Sequence, residues 1–419
     1  MATKLKRVLG LTEATLYGVG VILGAGIYAL IGEAAGLAGN ATWLAFFLGA
    51  FIAAFTGLSY AELSSIFPKA GGEYVYVEKA FNRRLAFLVG WLIVVGGVIS
   101  AATVALGFGG YFSTLFNTPI LPTAIILIAL LSILNYWGIR ESSIANIIAT
   151  VIEAAGLVII IAFGLKYFPT TNFTALPSMG WSGVLSATAL IFFAFLGFED
   201  VARLSEETKN PTKTIPRALL LSIAITTILY ILTAMSAVAI AGWQNLASSP
   251  APLAMVAQTA FGAKAFFVLS VIALFATFNT VLVILVATSR MLYGMAESHG
   301  LPKLIAKVSP KHKTPWIAVA LTGIFSALFV LIKKIEIVAS LTDFALFCTF
   351  ALVNASLLWL RHKSPKIKRP FKTSWLFAII GLITSLAMLA YFEKIVLIGG
   401  LAIILVGLGL FEVIRRKVK

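Results

Sequence analysis

Long apolar runs, separated by short polar segments, follow one another from residue 11 to residue 413. A helix needs about 20 residues to cross a hydrocarbon core of about 30 Å, and each run has roughly that length. The pattern therefore predicts an all-α integral membrane protein without a soluble domain between its helices. The twelve predicted spans are 11–38, 41–67, 85–114, 119–138, 142–165, 181–203, 217–242, 264–294, 316–332, 337–360, 374–392 and 395–413.

Two of these spans contain residues that weaken a helix. The first reads "VILGAGIYALIGEAAG" and includes Gly24 and Gly26, while the sixth contains Gly197 shortly before Glu199 and Asp200. Glycine breaks are tolerated in lipid where the freed backbone lines a cavity or is buried in protein. Close packing of helices through small residues is the alternative explanation of the first motif.

The positions of the two interruptions favour a binding site. The first and sixth spans are five spans apart, which is the relation expected of inverted repeats covering about 11–165 and 181–360, with further helices at about 374–413. We interpret 1–419 as a single transporter domain. Broken helices at the membrane midplane expose amides that attract a carboxylate and carbonyls that attract an ammonium. An α-amino acid carries both groups.

Composition and charge agree with a multi-pass membrane protein. The chain is 60% hydrophobic and 11% charged, against about 25% charged residues in soluble domains. With a cytoplasmic amino terminus, all but five of the 32 Lys and Arg lie on the cytoplasmic side. This asymmetry follows the positive-inside rule and predicts both termini in the cytoplasm and a location in the cell (plasma) membrane. The net charge of +16 is therefore interpreted as favouring contact with anionic lipid, and not as a sign of nucleic-acid binding.

Motifs for catalysis are missing from the sequence. It has no phosphate-binding loop, no HExxH, no nucleophile elbow and no histidine within a predicted span. The single cysteine, Cys348, excludes an internal disulfide and a cysteine-based metal cluster. We therefore expect no enzyme, no cofactor and no metal site.

Five segments in order resemble the amino acid, polyamine and organocation (APC) transporter superfamily. The segments are "GVGVILGAGIYALIGEAAGLAG", "SYAELSSIFPKAGGEYVYVEKAF", "FFAFLGFEDVARLSEETKNPTKTIPRAL", "NTVLVILVATSRMLYGMAESHGLP" and "RPFK". The resemblance covers the whole chain. It implies the five-plus-five inverted-repeat fold of the sodium-coupled leucine transporter, with helices 1 and 6 broken and two helices appended. It also implies alternating access.

The resemblance also implies where an amino acid would bind. Backbone amides of Ala25, Gly26 and Ile27 would face the substrate carboxylate. Backbone carbonyls of Ile22, Phe193 and Leu196, at the helix-6 break with Gly197, would face the ammonium, and Phe193 stands where relatives place an aromatic gate. The contribution of the eighth span falls between Phe278 and Leu285.

Glu153 lies in the middle of the fifth span, where several proton-coupled or ion-independent relatives carry a lysine. An ionised carboxylate at the centre of a membrane costs at least about 2.5 kcal/mol on insertion scales, so the group is expected to be protonated, paired or hydrated. Three roles remain open from the sequence: a proton carrier, a contact for a cation or a substrate ammonium, and a structural pin bonded to the broken first helix.

Two further acidic residues are candidates for gating or structure. Glu199 follows the break in the sixth span and is most simply a cap of the half-helix. Asp343 lies near the outer end of the tenth span, where a role in an outer gate and a hydrated interfacial position are both open.

The sequence thus predicts secondary active transport of amino acids coupled to protons, with sodium as the alternative ion. The alternatives are an ion-independent amino acid exchanger and a polyamine or cationic amino acid permease. Membrane lipid is the only other partner that the sequence indicates, and it does not determine the oligomeric state.

Overall fold

The computed structural model describes residues 9–67, 72–138, 143–177, 179–206, 208–297 and 301–418. Over these residues the secondary structure is helical, apart from an isolated bridge between Leu9 and Thr208. The α-helices are α1 (Leu11–Leu23), α2 (Gly26–Ala38), α3 (Thr42–Ile66), α4 (Gly72–Ala80), α5 (Arg83–Phe116), α6 (Ile120–Trp137), α7 (Ser143–Gly164), α8 (Gly180–Ile191), α9 (Asp200–Arg203), α10 (Pro211–Ala241), α11 (Trp243–Ser248), α12 (Pro252–Phe261), α13 (Ala263–Glu297), α14 (Trp316–Val330), α15 (Ile335–Lys363), α16 (Trp375–Met388) and α17 (Lys394–Val418). Short 3-10 helices occur at Gly39–Ala41, Leu165–Thr170, Phe192–Phe195, Leu204–Glu206, Lys303–Ala306 and Leu389–Tyr391.

The predicted apolar spans coincide with these helices, with small differences at their ends. Within the described residues, nine helical stretches are long and apolar enough to cross a membrane, and one of them, Gly26–Ile66, runs through α2 and α3. The shorter apolar helices are Leu11–Leu23, Pro252–Phe261, Trp316–Val330 and Trp375–Tyr391. The first predicted span is divided between α1 and α2, and the sixth between α8 and α9.

Large apolar side chains are exposed around the outside of the helical bundle. Ile126 on α6 is 65% exposed, and Ile398 and Leu405 on α17 are 70% and 68% exposed. In water such a surface would be unfavourable, but in a bilayer it contacts acyl chains. The fold is therefore that of a multi-pass membrane protein.

Two short helices, α11 and α12, were not predicted from the sequence. They lie between α10 and α13 and pack across the end of the bundle where α2 and α5 finish. Glycines allow this close packing: a Cβ at Gly32 would lie 2.6 Å from the carbonyl oxygen of Leu246, and one at Gly110 would lie 2.4 Å from that of Pro250. This end of the bundle is consequently closed by backbone-to-backbone contacts.

Candidate substrate-binding site

The first helix is interrupted at Gly24 and Ala25. α1 ends at Leu23, and Gly24 leaves the helical conformation with φ −18° and ψ −163°. The N–H of Ala25 donates a hydrogen bond of 3.1 Å to Thr280 Oγ1 on α13. The new helix α2 then begins at Gly26 without a side-chain cap. Its first amides are therefore available for a partner from outside the helix.

The second interruption follows α8. A 3-10 turn covers Phe192–Phe195, Leu196 is extended, and Gly197 has a φ of +108°. This φ is favourable only for glycine, because a Cβ would clash with the backbone. The N–H of Gly197 donates to Glu199 Oε2 at 3.0 Å, so this carboxylate satisfies one of the amides freed by the break.

The two interrupted segments touch each other. A Cβ at Gly26 would lie 2.7 Å from the Cα of Ala194, and one at Gly197 would lie 2.5 Å from Cγ1 of Val21. Glycine at both positions lets the two backbones approach within a distance that a side chain would prevent. The breaks therefore form one continuous backbone site.

Tyr230 on α10 links the two breaks through its hydroxyl group. The hydroxyl lies 2.6 Å from the carbonyl oxygen of Ile22 and 3.0 Å from that of Ala194, and the side chain is fully buried. Since a hydroxyl has one proton, the two carbonyls share this donor. The link satisfies backbone acceptors that the interruptions leave without helical partners.

A cavity of about 190 Å³ lies beside the breaks. Its walls come from the first and sixth predicted spans and from α5, α7, α13 and α15. The lining residues used below are Gly20, Ile22, Ala25, Gly26, Ile93, Gly96, Gly97, Glu153, Phe193, Leu196, Gly197, Glu199, Asp200, Thr280, Thr288, Met291, Thr342 and Leu346. The size of the cavity is that of a small organic molecule, and it meets broken backbone on one side and a carboxyl group on another.

Comparison with known proteins decides the family. A family profile described as "Amino acid permease" matches residues 9–402, nearly the whole chain. The chain belongs to the amino acid permease family. Its membership of the APC superfamily, predicted from the five motifs, is thereby confirmed.

The relatives of this permease are transporters. It is 30% identical to the branched-chain amino acid permease BcaP of Bacillus subtilis over 99% of this chain and 94% of the relative. It is 31% identical to the methylthioribose transporter of the same species, over 88% of this chain and 84% of the relative. Cationic amino acid transporter 5 of Arabidopsis thaliana is 29% identical over 87% of this chain and 68% of the relative. The protein is therefore a membrane transporter and not an enzyme, and the branched-chain and cationic amino acid relatives support amino acids as its substrates.

The permease places Glu153 in the wall of the cavity. The residue is 2% exposed, and its Oε1 is buried without a hydrogen-bond partner among the described residues. Tyr28 on α2 donates a 2.7 Å hydrogen bond to the backbone carbonyl of Glu153, not to its side chain. The link between α7 and the first predicted span is therefore made by the tyrosine hydroxyl, and the carboxyl group of Glu153 lines the cavity.

Asp343 does not occupy a hydrated interfacial position, so that interpretation of the sequence is wrong. It is 0% exposed on α15, and neither carboxyl oxygen has a hydrogen bond of ordinary geometry within the described part of the chain. It faces the backbone N–H of Phe193 at the interruption of the sixth predicted span, between α8 and α9, which is called the helix-6 break below. The residue sits behind the cavity wall and does not line the cavity itself.

Most, but not all, of the residues predicted to contact the substrate through their backbone line the cavity. Ile22, Ala25, Gly26, Phe193, Leu196 and Gly197 line the cavity, whereas Ile27 is buried outside its lining. Three of the proposed groups already have partners within the protein. Thr280 accepts from the N–H of Ala25, Tyr230 donates to the carbonyl of Ile22, and the N–H of Leu196 donates to the carbonyl of Phe193. The amides of the first turn of α2 remain the clearest positions for a carboxylate.

Several residues of the site were not predicted individually. Thr280 falls within the stretch expected from the eighth span, but Tyr230, Gly96 and Thr342 were not singled out. A tyrosine in an apolar span signals a hydrogen-bond partner only in general terms. Its particular partners are more than 200 residues away for Ile22 and 36 residues away for Ala194, which no local pattern indicates.

Proposed function

We propose that this permease carries out secondary active transport of amino acids by alternating access and couples it to protons through Glu153. The single observation that carries the proposal is the cavity at which both broken backbones meet the carboxyl of Glu153, whose Oε1 has no hydrogen-bond partner among the described residues. A transported zwitterion and a transported proton would then occupy the same small space.

Substrate recognition rests on the ends of the half-helices. The positive end of α2, which has no side-chain cap, attracts the α-carboxylate at the amides of Gly26 and Ile27. The carbonyls of Phe193 and Leu196 at the other break attract the ammonium. A carbonyl oxygen has two lone pairs, so Ile22 can accept from the ammonium as well as from Tyr230.

Proton coupling follows from the burial of Glu153. A carboxylate at mid-membrane is costly unless it is paired, and no Lys or Arg is among the described residues that line the cavity. The carboxyl group of Glu153 therefore carries a proton while the cavity is sealed. It releases the proton when the cavity opens to the opposite compartment and water reaches the group. Asp343 and Glu199, which contact the helix-6 break, act on the gate formed by Phe193.

Alternating access is supported by the asymmetry of the cavity. It extends from the breaks along Gly20, Thr288 and Met291, toward the ends of α1 and α13 that the charge distribution assigns to the cytoplasm. At the opposite end, α11 and α12 pack on α2, and Pro250 between them contacts α5 at Gly110. This arrangement corresponds to a state that is open to the cytoplasm and closed to the outside.

The wider architecture follows the same proposal. The chain forms one domain of twelve spans, with inverted-repeat halves at about 11–165 and 181–360 and two added helices at about 374–413. It lies in the plasma membrane with both termini in the cytoplasm. Support comes from the agreement between apolar spans and helices and from the interruption of the first and sixth of them.

The test is uptake of labelled amino acids into proteoliposomes, with a proton gradient, a sodium gradient or neither. The wild type is compared with Glu153→Gln and with Glu412→Gln, whose carboxylate is 38% exposed on α17. We expect accumulation to follow the proton gradient, Glu153→Gln to retain exchange but lose accumulation, and Glu412→Gln to behave as wild type. Normal accumulation by Glu153→Gln would contradict the role of Glu153 in proton coupling.

A specific observation favours a second candidate, a permease for cationic amino acids or polyamines. Three carboxyl groups, those of Glu153, Glu199 and Asp200, line the cavity, and the described lining includes no basic side chain. Competition of leucine uptake by arginine and by a diamine separates the candidates. A diamine has no carboxylate for the amides of α2, so inhibition by it would favour the cationic substrate.

A further inference from the structure

Two adjacent glycines of α5, Gly96 and Gly97, line the cavity but differ in what surrounds them. A Cβ at Gly97 would lie 2.2 Å from Thr288 Oγ1, so glycine there permits the close packing of α5 on α13. A Cβ at Gly96 would meet nothing nearer than Ala345 and Leu346, both at 3.9 Å. Packing between helices therefore does not require a glycine at position 96.

Glycine inside a helix also has a cost of about 1 kcal/mol relative to alanine. Position 96 thus carries a residue that destabilises the helix without a packing reason. The missing side chain leaves room for a methyl group at the cavity wall, in ordinary contact with Ala345 and Leu346.

Gly96 lines the cavity within the membrane-embedded part of α5. At a rise of 1.5 Å per residue, Gly96 is about 20 Å along α5 from Arg83, and Leu346 is about 17 Å along α15 from Ile335. The two helices run in opposite directions if all predicted spans cross the membrane, so both positions fall near the middle of a core of about 30 Å. The space beside Gly96 is therefore in the membrane-embedded part of the cavity, between the broken helices and the passage along Thr288.

A second, independent feature points to a ligand in the same place. Thr342, one turn before Leu346 on α15, lines the cavity and is 0% exposed, and its hydroxyl has no hydrogen-bond partner among the described residues. Thr349 on the same helix instead donates to the carbonyl of Ala345 at 3.0 Å, as helical threonines usually do. A buried hydroxyl left free is costly unless a bound molecule satisfies it.

The remaining neighbours of this space are apolar. Ile93 lies one turn before Gly96 on α5, and Phe193 closes the cavity from the helix-6 break. The space between α5 and α15 is thus shaped for a side chain of limited size, with one hydroxyl at its edge.

We infer that Gly96 sets the upper size limit of the transported side chain, which lies between Gly96 on α5 and the segment Thr342–Leu346 on α15. This inference rests on the proposed amino acid transport. A methyl group at position 96 reduces the space without disturbing the packing of α5, since the nearest atoms are at ordinary contact distance. Small substrates then still fit, and large ones do not.

The experiment measures kcat/KM for alanine, valine, leucine and phenylalanine in proteoliposomes for the wild type, Gly96→Ala and Gly96→Val. Overfilling a tight pocket by one methyl group corresponds to about a tenfold loss for a substrate that already fills it. We expect the leucine-to-alanine ratio of kcat/KM to fall about tenfold in Gly96→Ala. In Gly96→Val we expect the largest amino acid that is still transported to be smaller than in Gly96→Ala.

The matched controls are Gly294→Ala and Gly294→Val. Gly294 is a helical glycine of α13 with nothing within 4 Å of its Cβ position, and it does not line the cavity. Both controls are expected to keep the wild-type size profile. A profile unchanged in the Gly96 variants, or an equal loss for all four amino acids, overturns the size role while amino acid transport stands. No uptake of any amino acid by the folded wild type contradicts both the transport function and the size role.

Discussion

Tyr230 shows how one side chain can hold two interrupted backbones in place. Its hydroxyl lies within hydrogen-bonding distance of carbonyls on both the first and the sixth predicted spans. Hydrogen bonds between membrane helices contribute about 0.6 kcal/mol on average and up to about 1.7 kcal/mol. Under the proposed substrate contacts, Tyr230 is a positioning residue for the backbone carbonyls that accept from the ammonium, and its contribution to stability is modest.

For Tyr230→Phe we expect a rise in KM of about threefold to tenfold with a smaller change in kcat, since about 1.4 kcal/mol corresponds to tenfold. The measurement is the concentration dependence of uptake in proteoliposomes. Tyr111→Phe is the matched control, because this buried hydroxyl also donates to a carbonyl of the first span, that of Tyr28, at 3.0 Å. It should lower thermal stability similarly and leave KM unchanged. Equal KM values in the two variants would contradict the positioning role.

Residue-level predictions from sequence succeeded where the residue type itself carries the reason. Gly197 was identified as a helix break, and it adopts a φ of +108° that other residues rarely take. Glu153 was identified as a mid-membrane carboxyl, and it lines the cavity. Asp343 shows the limit of this reasoning, because its distance from the end of a span suggested hydration, whereas packing of α15 against the helix-6 break buries it completely.

At the scale of helices, a buried charge cluster connects α3 to α15 and the loop that follows it. Glu62 is 0% exposed; it accepts from Arg361 Nε at 3.0 Å and from the N–H of Thr373 at 2.8 Å, and Arg369 Nε lies 3.4 Å away. From the sequence, the basic residues on the cytoplasmic side, which include these arginines, were interpreted as topology signals that face anionic lipid. The structure shows that two of them instead serve an internal ion pair.

Removing the charge of Glu62 leaves two arginines largely buried without their counter-charge. Breaking one partner of a buried ion pair costs about 3–5 kcal/mol, so Glu62→Gln is expected to lower the melting temperature of the detergent-purified protein strongly. Glu412→Gln is the control, because Glu412 pairs with Arg84 at 3.5 Å with side chains 38% and 53% exposed. Such exposed pairs contribute about 0–1 kcal/mol. Similar melting temperatures of the two variants would show that the buried cluster is not required for stability.

For the whole molecule, the orientation in the membrane decides which compartment the cavity faces. Lys166 precedes α8 and Lys311 precedes α14, and both are exposed. The proposed topology places Lys166 outside and Lys311 in the cytoplasm. The single native cysteine, Cys348, can be replaced by serine to provide a background for labelling.

In this background, a membrane-impermeant maleimide applied to intact cells is expected to label Lys166→Cys. Lys311→Cys should react only after the membrane is permeabilised. The reverse pattern would invert the topology, and the cavity would then open to the outside.

The sequence by itself determined the helical membrane class of the fold, the positions of the long apolar helices and the two interruptions. These properties are local, because a hydrocarbon core demands a fixed length of apolar helix and a break demands a residue that tolerates it. Only the tertiary structure decided which groups meet at the site. Tyr230, Thr280 and Glu62 find partners 208, 255 and 299 residues away in the chain, and such contacts depend on how helices pack against one another. Helix packing in lipid is governed by the fit of surfaces and by small residues, which a pattern of apolar positions does not contain.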